Sequence, residues 1–164
     1  MYFATLSVVG WIDLFTRRSC AEVIVRNLHV CGERRELSVW AWVLMPSHLH
    51  LIAGVPTGQR LGEVLGDFKA FTARALLAEV AANPQESRRE WLQYLFEYYG
   101  KAVGQAHQVW QPGGHYIVLD NEAKALRARA YIHQNPVAAG MVYDATHYPY
   151  SSACPEARVP LAVW

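Results

Sequence analysis

The stretch ELSVWAWVLMPSHLHLIAGV, residues 36–55, leaves a chain few ways to fold. It holds two β-prone apolar runs, 36–45 and 48–55, with only Pro46 and Ser47 between them. Pro46 fixes its φ and has no N–H to give to a ladder, so Met45-Pro46-Ser47 suits a tight hairpin. The second run also carries two imidazoles, His48 and His50, in an otherwise apolar strand. Side chains two apart on a strand leave the same face, so both rings project together while Leu49 anchors the opposite side.

The remaining chain arranges itself around that hairpin. Residues 2–10, YFATLSVVG, read as a strand ending at glycine. Residues 20–31 place Ala21, Val23 or Ile24, Leu28 and Cys31 at helical spacing, and GERR then turns the chain. Residues 61–82 form the clearest amphipathic helix, with Leu61, Val64, Leu65, Phe68, Thr72, Ala75 and Leu76 on one stripe. Asn83-Pro84 ends it. Residues 87–99 suit a further helix, with Ser87 and Glu90 spaced as a capping box. A Gly- and Gln-rich loop, 100–114, leads to a short strand at 115–119. Asp120 or Asn121 caps a last helix, 122–134, which Pro136 should stop. An irregular tail follows, expected to pack through its aromatics.

The order β-α-β-β-α-(α)-β-α fits an α+β fold, with a ferredoxin-like antiparallel sheet and helices packed on one face. The 164 residues suit one domain, with an extra helix and loop about 84–114 and a tail about 136–164. At 52% hydrophobic and 18% charged the composition is globular. No window reaches the ~18 apolar residues of a membrane helix, and the start lacks the basic front of a secretory signal. A cytoplasmic location is expected. Cys20, Cys31 and Cys154 are scattered and form no CxxC pair, which suits reduced, packed thiols. The net charge of +1 does not announce a polyanion partner, although fifteen Lys and Arg can still form a local patch.

Two histidines do not close a metal site; one that does chemistry needs a third ligand and open positions. The last helix offers further groups. Arg127, Tyr131 and Asn135 share one stripe, and Ala123, Leu126 and Ala130 form another that can bury on the sheet. Tyr131 can serve as a nucleophile and Asn135 can give an oxygen to a metal. Equally, Tyr131 suits the edge of an amphipathic helix and Asn135 a cap before Pro136. His133, on another stripe, reads as structural. His115 begins a strand and can approach the histidines.

These residues, taken together, resemble a known family. MPSHLHLIAG is similar to the histidine-hydrophobic-histidine (HUH) motif of the single-strand DNA transposases that use one tyrosine. YIHQNPVAAGMV followed by YPYSSA resembles the C-terminal signature of their REP-associated tyrosine transposase branch. VVGWIDLFTRR, NPQESRREWL and VWQPGGHYIVL are also similar to segments of that family, so the likeness spans roughly residues 2–153. It implies a ferredoxin-like fold and breakage and rejoining of single-stranded DNA, often beside an imperfect hairpin, with Mg²⁺ or Mn²⁺. By position, His48 and His50 match the metal-binding histidines, Asn135 the third polar ligand and Tyr131 the nucleophile. In some relatives that tyrosine helix is donated across a dimer. Ser47 stands where relatives often have Asn.

A phenol of ordinary pKa is ionised in only about one molecule per thousand at pH 7, so its attack on phosphorus needs help from a cation. Imidazole donors suit Mn²⁺ better than Mg²⁺. Strand binding needs cations and stacking surfaces. Arg17, Arg18, Lys69, Arg74, Lys124 and Arg127 supply the first, Trp110 and Tyr116 the second. Rival readings are a non-catalytic or host-adapted hairpin-binding protein on the same scaffold and a small zinc hydrolase, for which no carboxylate nearer than Glu63 is evident. A homodimer would cover an exposed strand edge.

Overall fold

The structure is a computed structural model that describes residues 1–34 and 36–163. Arg35, the last residue of the expected GERR turn, lies outside the described residues. The elements are β1 (Tyr2–Ser7), α1 (Arg18–Glu33), β2 (Ser38–Met45), β3 (His48–Gly54), α2 (Leu61–Ala82), α3 (Arg89–Lys101), β4 (His115–Val118) and α4 (Glu122–Ala138). The four strands form one antiparallel sheet in the order β2-β3-β1-β4. Two crossovers and a central hairpin give the split arrangement of a ferredoxin-like fold, as expected from the element order.

Strand alternation sorts the side chains between two cores. Ala4 and Leu6 of β1, Trp42 and Leu44 of β2, and Leu49 and Leu51 of β3 are buried in the main core. They meet Ile24 and Leu28 of α1, Leu65 and Leu76 of α2, and Phe96 of α3 there. Ala41, Val43 and Met45 of β2 and Ile52 of β3 point the other way and bury with Ile132 of α4 and Tyr148. The helices therefore do not all share one face, which corrects the expectation. α1 and α2 cover one side of the sheet and α4 seats on the other. No helix among the described residues is long and apolar enough to cross a membrane.

The seat of α4 also differs from the stripe read from spacing. Ala123, Leu126 and Ala130 are exposed, whereas Ala125, Ile132 and Pro136 are buried, with Ala128 packed beside them. Spacings of 3, 4 and 4 make this a helical stripe as well. Small alanines bring the helix close to the sheet, and Ile132 fills the gap among the β2 and β3 side chains. Pro136 does not stop the helix, which runs on to Ala138. The bond it forfeits is the one its own N–H would have made, and the next turn recovers, with the Ala139 N–H on the Asn135 carbonyl at 3.0 Å. Asn121, not Asp120, caps the start by accepting from the Lys124 N–H at 2.9 Å.

The tail does pack through aromatics. The Tyr148 hydroxyl donates to the Leu44 carbonyl at 2.8 Å, and the Leu44 N–H reaches the Tyr150 carbonyl at 2.8 Å. Ser151 then bridges to Val43 and the Ser152 N–H reaches the Trp42 carbonyl. Those contacts occupy the outer edge of β2, so the open edge invoked for a homodimer is covered there by the chain itself.

The capping box expected at Ser87 is not formed, and α3 begins two residues later, at Arg89. Glu86 takes over the junction. It is buried, and its carboxylate accepts from the Arg88 N–H at 3.0 Å and the Arg88 Nε at 3.1 Å, with Arg17 Nε at 3.3 Å. Arg17 also donates to Ser87 Oγ, and Arg88 reaches Asp13 at 2.8 Å. The α2–α3 junction is thereby tied to the start of α1. Burial alone would raise the Glu86 carboxyl, but the Arg88 hydrogen bonds and the charges of Arg88 and Arg17 hold it below its ordinary value. On acidification the unfolded chain takes up this proton first. The stabilisation is therefore full at neutral pH and is lost as pH falls through the depressed folded value. Glu86→Gln should cost about 1–3 kcal/mol at pH 7, since it takes the buried carboxylate away from Arg17 and leaves Arg88 with Asp13 alone. Urea unfolding at stepped pH should show that gap to the parent narrowing as the medium is acidified.

Candidate active site

The site sits where β1, β3 and α4 meet, on the face away from α1 and α2. His48 and His50 leave that face of β3 with ring centroids 4.6 Å apart. Between them, Leu49 is fully buried in the opposite core, so packing fixes the strand that carries them. The β1–β3 register sets Thr5 against His50 and Ser7 against His48. Thr5 Oγ1 lies 2.9 Å from His50 Nδ1, and Ser47 Oγ lies 3.2 Å from His48 Nδ1. Phe3, two residues before Thr5 and on the same face, stacks on His50 at 5.3 Å.

α4 brings Tyr131 to this cluster from the same chain. Its ring meets His50 at 5.4 Å and Phe3 at 5.9 Å, edge to face. The ring is 52% exposed, so one flank rests on the site and the other stays open to a ligand. Tyr131 is here because its neighbour Ile132 is fixed in the sheet, which turns position 131 toward β1. α4 starts after β4 has ended beside Met1 and finishes before the chain reaches Leu44 at the hairpin end. Asn135 is half-buried and lies one turn beyond Tyr131 on α4.

Burial shapes the protonation of the pair. It pushes His48 below the ordinary imidazole value. Burial, reinforced by His48, pushes His50 down to about 3. Both rings are thus neutral at pH 7, the form that ligates metal. With each Nδ1 beside a hydroxyl, each Nε2 is the nitrogen left to ligate. Among the described residues no third His, Cys, Asp or Glu joins them to complete a cluster. Two neutral imidazoles with open positions fit a divalent cation that accepts nitrogen and fills its shell with amide, water or phosphate oxygen.

Other expected residues are placed differently. Lys69 is half-buried, its pKa lowered by that burial, and it donates to the Gln111 carbonyl at 2.9 Å and to the Gly113 carbonyl. It holds the 111–113 loop, whose Gln111 N–H reaches the Ser7 carbonyl at the end of β1, and its ammonium is taken up by those carbonyls. Arg74 is exposed on the same helix, on the other layer. Arg17 is engaged by Glu86 and Ser87, and Arg18 reaches Glu22 at 3.9 Å. Lys124, paired with Asp120, and Arg127 are the two expected cations on the tyrosine helix. Trp110 is buried with its Nε1 donating to Thr72 Oγ1, which removes it as a stacking surface, and Tyr116 packs on the main core. His133 is structural, as expected, with Nε2 2.9 Å from Ser152 Oγ. His115 is exposed and opposite Thr5 in register, so its side chain shares the histidine face, one strand beyond. A groove of about 860 Å³ between α1 and α2 is lined by none of these groups.

Three residues of the site escaped the sequence reading: Phe3, Thr5 and Trp11. Alternation along YFATLS marks Phe3 and Thr5 as sharing a face, but only the strand register shows that the face is that of His50. Trp11 meets His48 in a T-shaped contact at 5.6 Å.

The fold has a solved counterpart. The structure of a REP-associated tyrosine transposase bound to a REP hairpin superposes with a TM-score of 0.62 and 19% identity, over 92% of this chain and 74% of that one. At that identity the likeness is one of fold, and it agrees with the resemblance carried by the motifs. A structure from Deinococcus radiodurans R1 is more distant, with a TM-score of 0.49 and 15% identity over 80% of this chain and 88% of the other. No protein-family model matches the sequence, and no curated protein matches it.

Thr5 orients His50 without itself ligating, so Thr5→Val tests the pair as a metal site. Calorimetric titration should show Mn²⁺ affinity falling roughly 10- to 100-fold with the fold retained. Unchanged affinity would remove the hydroxyl from that role.

Proposed function

We propose that this chain cleaves and rejoins single-stranded DNA beside a hairpin, through a covalent link to Tyr131. The observation that carries the reading is the meeting of His48 and His50 from the sheet with Tyr131 from α4 in one ring cluster of one chain. The HUH-like motif, the Asn135-Pro136 pair in the last turn of α4 and the fold shared with a hairpin-bound transposase support it.

In the forward step the Tyr131 oxygen attacks a backbone phosphorus and the bond to the 3′-oxygen breaks in line. The phenol proton passes to solvent, the 3′-oxygen takes one up, and the 5′-phosphate remains on the tyrosine. Rejoining is the reverse: a 3′-hydroxyl attacks, and the phenol leaves. No bond energy is lost to water in between, so a ligation needs no nucleotide cofactor. Phe3 and His50 hold the phenol ring from one side and leave its exposed flank to the strand. His48, His50 and Asn135 are the residues that would hold Mg²⁺ or Mn²⁺, which when bound supplies positive charge opposite the phosphate oxygens. Arg127 and Lys124, on the tyrosine helix, are assigned to neighbouring phosphates, with Arg18 and Arg74 left to longer-range attraction.

The test uses hairpin-flanked single-stranded DNA with Mn²⁺, resolved on a denaturing gel. The parent protein should form a slow-migrating covalent adduct, with Mn²⁺ at least as effective as Mg²⁺. Tyr131→Phe should abolish the adduct while hairpin binding and thermal stability stay unchanged. An adduct that persists in the variant assigns the nucleophile elsewhere. Binding without any adduct in the parent favours the hairpin-binding protein.

A further inference from the structure

We propose that Trp11 is a stacking platform for the nucleobase next to the phosphate that Tyr131 attacks, an inference that rests on the reading above. Trp11 has φ 54°, and it is the one non-glycine with positive φ among the described residues. That region is a strained outlier for a bulky side chain and marks a site the surroundings over-determine. Here they do. The Val8 N–H reaches the Ser47 carbonyl at 2.9 Å and the Val9 N–H reaches the Val109 carbonyl at 2.9 Å. The Trp11 and Ile12 N–H groups close back on the Val8 and Val9 carbonyls. Val8, Val9 and Ile12 are buried. Gly10 has φ 59°, which L side chains rarely adopt, so the turn also needs glycine at that position.

This fixed turn does not bury the indole. Trp11 is 60% exposed and gives little to either core, yet its ring is delivered to His48 in a T-shaped contact at 5.6 Å. A glycine or asparagine would accept this backbone conformation more readily. What the tryptophan adds is a broad, largely exposed indole beside the histidine pair. His50 and Tyr131 lie beyond His48 in the same cluster, so a strand whose phosphate faces Tyr131 passes within reach of the indole. Base stacking on an aromatic face tolerates any sequence, which suits a platform at a cut site.

The experiment measures binding of fluorescein-labelled oligothymidylate at low salt, alongside thermal stability and the adduct assay. Trp11→Ala should weaken oligothymidylate binding roughly 5- to 100-fold, the range of one lost stack. Trp11→Phe should retain most of it. Trp11→Gly should melt at or above the parent temperature, because the strained side chain is gone and no core contact is lost. An abasic step placed in turn at each position of a cleavable strand should, at one position, erase the difference between parent and Trp11→Ala. Equal binding by the parent and Trp11→Ala overturns the proposal, as does a fall in melting temperature for both Trp11→Ala and Trp11→Gly that matches the binding loss. A parent that binds no oligothymidylate overturns it too. If Trp11→Ala loses binding but the parent forms no adduct, the platform stands and the cleavage reading falls. If the adduct forms and Trp11→Ala binds normally, the reverse holds.

Discussion

The antiparallel pairing of β1 with β3 is the constraint on which the site depends. It sets Thr5 against His50 and Phe3 one step along the same face, and it puts Leu49 and Leu51 into the opposite core. A slip of one residue would turn both imidazoles into that core and bring leucines to the surface. The apolar cost of that exchange makes the histidine face a consequence of the main core. The two rings are partly desolvated in the bargain, which keeps them neutral and ready to ligate.

α4 supplies the other half of the geometry through small side chains. Ala125 and Ala128 let the helix approach, and Ile132 fixes its rotation on the sheet. One helical position, about 100°, then separates a buried isoleucine from a half-exposed tyrosine. Pro136 belongs to the same buried stripe and extends it by a turn. The tail segment Tyr150–Ser152 closes the β2 edge and, through Ser152 and His133, ties back to α4. Tyr131 therefore reaches His50 without a second chain.

Much of this was legible in the residues. The hairpin at Pro46-Ser47, the long α2 and the shared face of His48 and His50 follow from periods of two and of about 3.6, both strong signals over long runs. The seat of α4 was not legible, because its alanines fit two stripes equally well and only contact with the sheet chooses between them. Helix persistence through Pro136 was hidden for a related reason: burial against the sheet outweighed one missing hydrogen bond. The cations were least legible. Lys69 and Arg17 look free in a string of letters, but each has a carbonyl or carboxylate partner more than forty positions away. Trp110, expected as a stacking surface, is buried while Trp11 is exposed, since indole burial depends on long-range packing that no local pattern encodes.

The central claim is that imidazoles from β3 and the phenol from α4 of a single chain surround one cation position. Paramagnetic broadening by substoichiometric Mn²⁺ tests it most directly, with NMR signals followed for the rings of His48, His50 and Tyr131. The account predicts that these three rings broaden first and together, and that Tyr131 still broadens when diluted into unlabelled His50→Ala protein. Sharp Tyr131 signals while the histidines broaden, or broadening confined to another part of the chain, would contradict it.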